Sequence, residues 1–239
     1  MSQLDGQVQH IVLSGRNTEK LNVVASKLAS DHTILAFDLS NEKEVEECLH
    51  SNKNLLEKID VAFLNAGISQ RSLIRETNME TVRKMLEVNF FAHVRISSFL
   101  LPSISKNKGH FVVISSLVGE FGVPFRSSYS ASKHALHGYF ETLRLEEDEV
   151  NVTIVCPGFI HTDISKNALT GKGDQYGIVD PGQQNGMPVD KMSEILLSAV
   201  AKRKHSIYIG RWKETKLGVF LHNNFPRLFY KMIKKSKVK

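Results

Sequence analysis

The sequence predicts an α/β fold, a doubly wound parallel sheet with helices on both of its faces. Three observations lead there. Short apolar, β-branched runs alternate with amphipathic stretches along the 239 residues, the pattern of βαβ units. Each run is apolar on both faces, as strands covered on both sides must be. The composition, 41% hydrophobic and 23% charged, is that of a globular chain long enough to bury a sizeable core.

The runs are residues 10–13, 33–37, 61–64, 110–114, 152–155 and 206–209. Helical spacing fills the intervals. Leu21, Val24, Ala25 and Leu28 share one face, as do Val45, Cys48 and Leu49. Residues 77–106 read as one long helix opened by Met79, Val82, Met85 and Leu86, and 127–148 as another. Residues 189–201 carry Val189, Met192, Leu196 and Ala199. With no internal repeat and no low-complexity linker, a single domain over 1–239 is expected. Residues 165–187 hold five glycines and Pro181 with few periodic apolar positions. They predict a long loop or a mobile pair of short helices, and loops of that length tend to be functional. The stretch 215–239 reads as an amphipathic helix broken at Pro226, within a basic C-terminal extension over 213–239.

The net charge of +6 does not point to nucleic acid, because its distribution is local: Arg227 to Lys239 contains six Lys/Arg and no acidic residue. This tail is expected to be a solvated end, a lid or a subunit contact, with peripheral contact to an anionic membrane as the alternative. No apolar run approaches the length of a membrane-spanning helix, and residues 1–10 do not read as a signal peptide, so a cytoplasmic location is expected. Cys48 and Cys156 stand in dissimilar settings without metal-ligand spacing, and neither a disulfide nor a metal site is expected.

The chemistry concentrates in Tyr129-Ser-Ala-Ser-Lys133, preceded by Ile114-Ser115-Ser116. Tyr and Lys at i and i+4 lie on one helix face. An ammonium beside a phenol lowers the phenol pKa, and a tyrosine so tuned can exchange a proton at neutral pH. Ser116, at the end of an apolar strand, can reach the same space and hydrogen-bond a carbonyl oxygen on which charge develops. A YxxxK pattern alone is weak; its position after a strand ending in Ser-Ser strengthens it. His134 and His137, on the same helix, read as ordinary surface histidines. Asp163 is a candidate helix cap, His161 a loop residue, and Phe159 and Met187 either line a pocket or pack in the core.

In these motifs the chain resembles the short-chain dehydrogenase/reductase family, over residues 10–211. Gly67-Ile-Ser-Gln-Arg-Ser-Leu73 and the tail Phe225-Pro-Arg-Leu-Phe-Tyr-Lys-Met-Ile are similar to the SDR family member 7 group and its bacterial relatives. The resemblance implies a Rossmann-like sheet and an oxidoreductase interconverting an alcohol and a ketone or aldehyde. It implies that Ser116 polarises the substrate, Tyr129 is the general acid/base, Lys133 lowers the tyrosine pKa and holds the ribose, and Asn89 completes a proton relay. Asn65-Ala66-Gly67 matches the element beside the cofactor, Asp38-Leu39 the acidic pair near the adenine, and Pro157-Gly158 with Ile160 and Thr162 the nicotinamide end. Arg16 stands where NADP-preferring members place an arginine, which implies NADP over NAD. Packing of 79–106 and 127–148 across a two-fold axis implies a homodimer or tetramer.

One element of the pattern is missing. A member should open with a strand and a TGxxxGxG turn whose glycines let the backbone approach the pyrophosphate. Here Ser14-Gly-Arg-Asn-Thr-Glu-Lys-Leu21 keeps only Gly15. Residues 10–13 read better as the family's second strand than as its first: Asp38 precedes Asn65 by the spacing of a third-strand aspartate, and Tyr129 falls about one βα unit (~25 residues) early. Residues 2–9 are then a remnant of the first helix. In a sheet of order 3-2-1-4-5-6 the first strand is central and its removal opens the core, so either the strands rearrange to close the gap or the chain is a truncated or incomplete product. The alternative to an active enzyme is accordingly a truncated, non-catalytic relative acting at most through subunit contacts.

Overall fold

A computed structural model describes residues 8–211 and 215–235. The expected remnant at residues 2–9 therefore falls almost wholly outside the described residues, as do the start of the C-terminal extension and the last four residues of the basic tail.

All six predicted strands are present: β1 (His10–Gly15), β2 (Asp31–Ala36), β3 (Val61–Leu64), β4 (His110–Ile114), β5 (Asn151–Pro157) and β6 (Ser206–Ile209). Every pairing among them is parallel. They form two sheets, β1–β2 and β3–β4–β5–β6, with no ladder joining β1 to β3. The interruption lies where the family resemblance puts the absent central strand. The strands have not rearranged to close the gap. Val61 and Phe63 on β3, which pairs with β4 on one edge only, remain 43% and 36% exposed, a high value for apolar strand residues.

One core nevertheless unites the two sheets. Leu35 and Phe37, in and just after β2, pack in the same buried cluster as Phe111 and Val113 of β4 and Val152 and Ile154 of β5. The helices α2 (Glu42–Ser51), α3 (Lys53–Leu56), α5 (Ala92–Lys106) and α6 (Ser127–Glu146) lend Val45, Leu49, Leu56, Leu100, Ile104, Leu136 and Phe140 to it. The opposite face of the larger sheet is covered by α8 (Val189–Ala201), whose Leu196 and Ala199 pack on Val112, Val155 and Ile207. The helix α1 (Thr18–Ala25) closes only a small cluster, with Ala25 against Ile11 and Leu13. Asparagine caps start α1, α2 and α4 (Met79–Leu86): the Asn17, Asn41 and Asn78 side chains accept backbone N–H groups of the first turn.

The predicted helix 77–106 is one helical run with a defect. After α4 a π-helical turn, Glu87–Phe91, leads directly into α5. Residues 165–187 contain a single four-residue helix, α7 (Pro181–Gln184), and not a pair. The segment is tied down by backbone bonds, Leu169 N–H to Ser69 O at 2.8 Å and Arg71 N–H to Leu169 O at 2.8 Å. Asp163 caps no helix; its carbonyl accepts the Asn167 N–H in a turn. The tail divides at Pro226 into α9 (Lys216–Asn224) and α10 (Pro226–Lys235), and Phe229 of α10 is buried against Phe121 with ring centroids 4.7 Å apart. No helix among the described residues is long and apolar enough to cross a membrane.

Candidate active site

Every residue singled out from sequence sits at or beyond the carboxyl end of a parallel strand, or on a helix facing that end. Arg16 follows β1, Asp38 and Leu39 follow β2, Asn65 to Gly67 follow β3, Ser116 follows β4, and Pro157 and Gly158 end β5. This is the edge at which open parallel sheets bind ligands.

Ser116 caps the short 3-10 turn Leu117–Gly119, its Oγ accepting the Val118 N–H at 3.4 Å. Tyr129, in the first turns of α6 and 6% exposed, lies beside Ser116, whose side chain favours its ionisation. One turn on, the buried Lys133 donates from Nζ to the Ile114 carbonyl at 2.7 Å and lies 5.9 Å from the Tyr129 ring centroid. Asn89 occupies the π turn, where the extra residue turns its side chain out of helical register, a distortion frequent at functional sites. Its Oδ1 accepts Ile68 N–H at 2.8 Å, and its Nδ2 donates to Ile68 O at 2.9 Å and Ser132 Oγ at 3.0 Å. A Cβ at Gly67 would stand 3.2 Å from Asn89 Oδ1 and 3.6 Å from Lys133 Nζ, so glycine alone leaves this corner open. Asn89, Gly67, Ser116, Tyr129 and Lys133 thus come together.

The electrostatics differ from the expectation in one respect. Burial pushes the Tyr129 phenol above its ordinary pKa of 10, and the cation opposing that rise is Arg126, with Ser116 assisting. Lys133, its ammonium held down at about 8 by burial, donates to the Ile114 carbonyl. At neutral pH the phenol is therefore protonated.

The adenine-side residues are more open. Arg16 NH1 lies 3.9 Å from Asp38 Oδ2, with the arginine side chain 69% exposed. Burial works against the Asp38 carboxylate, but hydrogen bonds from Ser40 and the charges of Arg16 and Lys84 outweigh it and keep it below its usual pKa. Leu39 turns inward and packs against the main core. Asn65 and Ala66 are exposed. Gly158 N–H donates to Ile209 O at 2.8 Å, Ile160 is buried and bridges to Met187, and Thr162 is half-buried.

Two features of the site escaped the sequence reading. Arg71, Arg126 and Asp180, all buried, form an ion triad: Asp180 Oδ2 accepts from Arg126 NH2 at 2.8 Å and also pairs with Arg71 NH2. Arg126 NH1 also donates to Ser69 Oγ at 2.5 Å, and its Cζ stands 5.7 Å from the Tyr129 ring centroid. The triad fastens the 165–187 segment to the catalytic helix; nothing in the spacing of 71, 126 and 180 announces it. The second is His93, wholly buried. Burial, then the charge of Lys133, holds its imidazole down at about 3, and burial with Arg203 holds His110 at about 4.

Both imidazoles are neutral in the fold and protonate near 6.5 once unfolded. Their folded pKa values are depressed, so the stability they contribute is complete above pH 6.5 and lost as pH falls from 6.5 towards 4 and 3. For His93 the loss over that window is about 3–4 kcal/mol. Thermal melts between pH 7 and 4 should therefore show Tm falling with acid, and His93→Gln should make that fall shallower. An unchanged slope would refute the assignment.

The short chain dehydrogenase family model matches residues 3–173. The chain belongs to this family. A 36% identity over 237 residues, 94% of the chain and 73% of the relative, links it to dehydrogenase/reductase SDR family member 7B of Xenopus laevis. Among solved structures, a short chain dehydrogenase/reductase of Burkholderia phymatum in complex with NAD superposes at TM-score 0.77 and 20% identity, covering 91% of this chain and 85% of that one. A short-chain dehydrogenase of Sphingobium yanoikuyae in complex with NADPH superposes at 0.71 and 21%, covering 87% and 80%. These dehydrogenases share the fold, and the chain is a short-chain dehydrogenase similar to the SDR family member 7 group.

The residues fit a nicotinamide dinucleotide unequally. At the Gly67 corner an added Cβ would press on Asn89 Oδ1 at 3.2 Å, and Asn89 and Lys133 supply polar groups there. At the other end, α1 closes its own N-terminus with Asn17, whose Oδ1 accepts the Lys20 N–H at 2.8 Å. A Cβ at Gly15 would make only an ordinary 3.6 Å contact with Leu21. The described residues form no glycine cradle for a pyrophosphate.

Proposed function

We propose that this short-chain dehydrogenase is an NADP(H)-dependent oxidoreductase interconverting an alcohol and a ketone or aldehyde, run in the direction of carbonyl reduction. The observation that carries the reading is the meeting of Ser116 and the buried Tyr129 beside the Gly67–Asn89–Lys133 corner. Ser116 orients the carbonyl oxygen and Tyr129 donates the proton to it. A phenol kept protonated by burial suits an acid better than a base. Lys133 holds the ribose, and Asn89 braces the Ile68 backbone that walls the site. The cofactor supplies the hydride when bound. Arg16, exposed on one side, is the residue to meet a ribose 2′-phosphate.

A second reading, a non-catalytic relative, is favoured by the interrupted sheet and by the absence of a glycine cradle among the described residues. Fluorescence titration with NADPH and NADH separates the two. Micromolar NADPH binding supports the enzyme, and Arg16→Ala should then weaken NADPH about tenfold while leaving NADH unchanged. An equal effect on both cofactors would refute the NADP preference. Absence of binding by a chain with a folded circular-dichroism spectrum would refute the enzyme.

A further inference from the structure

Behind the catalytic residues, three side chains of metal-ligating type meet from three separate elements. Glu120 follows the 3-10 turn after Ser116, His137 lies on α6 one turn beyond Lys133, and Cys156 is on β5. Glu120 Oε1 is 3.7 Å from Cys156 Sγ, Cys156 Sγ is 3.8 Å from His137 Nε2, and His137 Nδ1 is 3.6 Å from Glu120 Oε1. One ligand atom from each lies within 4.8 Å of the other two. Tetrahedral zinc, with bonds of about 2.3 Å to sulfur and about 2.0–2.1 Å to nitrogen or oxygen, sets its ligand atoms roughly 3.3–3.7 Å apart. The Glu120–Cys156 and Glu120–His137 Nδ1 separations already match that spacing; the sulfur meets His137 through Nε2, so the imidazole must turn to offer one nitrogen to an ion held by all three.

Its surroundings support a site. Cys156 is fully buried, while the His137 and Glu120 side chains keep 15% and 22% exposure, which leaves a path for an ion. The Tyr208 hydroxyl, 3.2 Å from Glu120 Oε1, is placed to orient that carboxylate or to complete the fourth position. With His137 bound through Nδ1, Ser115 Oγ, 2.8 Å from Nε2, can fix the ring by accepting that N–H, the usual second partner of a ligating histidine. Thiolate and carboxylate together balance a divalent charge, and a sulfur–nitrogen–oxygen set favours zinc over magnesium or calcium.

We infer that Glu120, His137 and Cys156 form a structural Zn²⁺ site that pins the Ser116 turn to α6 and β5. Binding replaces the Cys156 thiol proton, which passes to solvent. The three residues are positioning residues: they touch no substrate, and they hold the strand end and helix that carry Ser116, Tyr129 and Lys133.

The test is Co²⁺ titration of the EDTA-treated full chain. The site predicts a thiolate-to-cobalt charge-transfer band with intense tetrahedral d–d absorption, saturating at one ion per chain and erased by Zn²⁺. Cys156→Ser should abolish the charge-transfer band and Cys48→Ser should leave it. Glu120→Gln and His137→Asn should each weaken cobalt binding at least about tenfold. Zn²⁺ should raise Tm, reversibly with EDTA. Absence of a charge-transfer band in the wild-type chain overturns the inference, whatever the variants do. So does a band that survives Cys156→Ser and disappears with Cys48→Ser.

Discussion

Tyr129→Phe is expected to lower kcat/KM for carbonyl reduction about a thousandfold, the usual worth of a positioned general acid. The substitution keeps the ring and its volume, so it opens no void in a residue that is 6% exposed. What it removes is the hydroxyl beside Ser116, a polar contact worth at most about 1 kcal/mol of folding stability, against about 4 kcal/mol of transition-state stabilisation. Activity should therefore collapse while Tm and cofactor affinity hold. The pH profile gives a second readout. Because burial holds the phenol above its ordinary pKa of 10, the acid is loaded across the neutral range. Reduction should be nearly flat from about pH 6 to 8, while alcohol oxidation, which needs the conjugate base, should climb with pH. Turnover of Tyr129→Phe within threefold of wild type would remove Tyr129 from the mechanism.

Asp180→Asn should cost about 3–5 kcal/mol of stability, because it strands two buried guanidinium groups without a counter-charge. In a chain of this length that is a fall in Tm of about 10 °C. The triad is unevenly satisfied. Nε and NH1 of Arg71 are buried without hydrogen-bond partners, and its burial and the charge of Arg126 hold its pKa down at about 10. Arg71→Met should then be close to neutral, leaving Asp180 paired one-to-one with Arg126. The double variant should recover part of the Asp180→Asn loss, a coupling expected of residues in contact. Chemical denaturation of the four proteins measures the cycle. Asp180→Asn within about 1 kcal/mol of wild type, or Arg71→Met as costly as Asp180→Asn, would show that the triad is not the clamp on residues 165–187.

Much of the site was legible because its logic is local. Tyr129 and Lys133 share a helix face by spacing alone, Ser116 is placed by the strand before it, and the Pro226 break in the tail is written in proline chemistry. The π turn was not legible, since a single-residue defect leaves the apolar periodicity of 79–106 almost intact. Nor was the Tyr129 electrostatics. A YxxxK pair predicts a lowered phenol pKa, but burial of the phenol outweighs the groups that favour its ionisation and raises it.

By itself the sequence determined the α/β class, the order of the six strands, the residues at their carboxyl ends and the lack of a glycine turn, all of which follow from periodicity and short-range spacing. The tertiary structure alone decided that β1 and β3 stay unpaired, because one shared core of Leu35, Phe37, Phe111 and Val113 holds the two sheets without a ladder between them. It alone brought Arg71, Arg126 and Asp180, and Glu120, His137 and Cys156, within bonding reach. Their separations along the chain carry no period, and only parallel crossovers that return each strand end to the same edge make them neighbours.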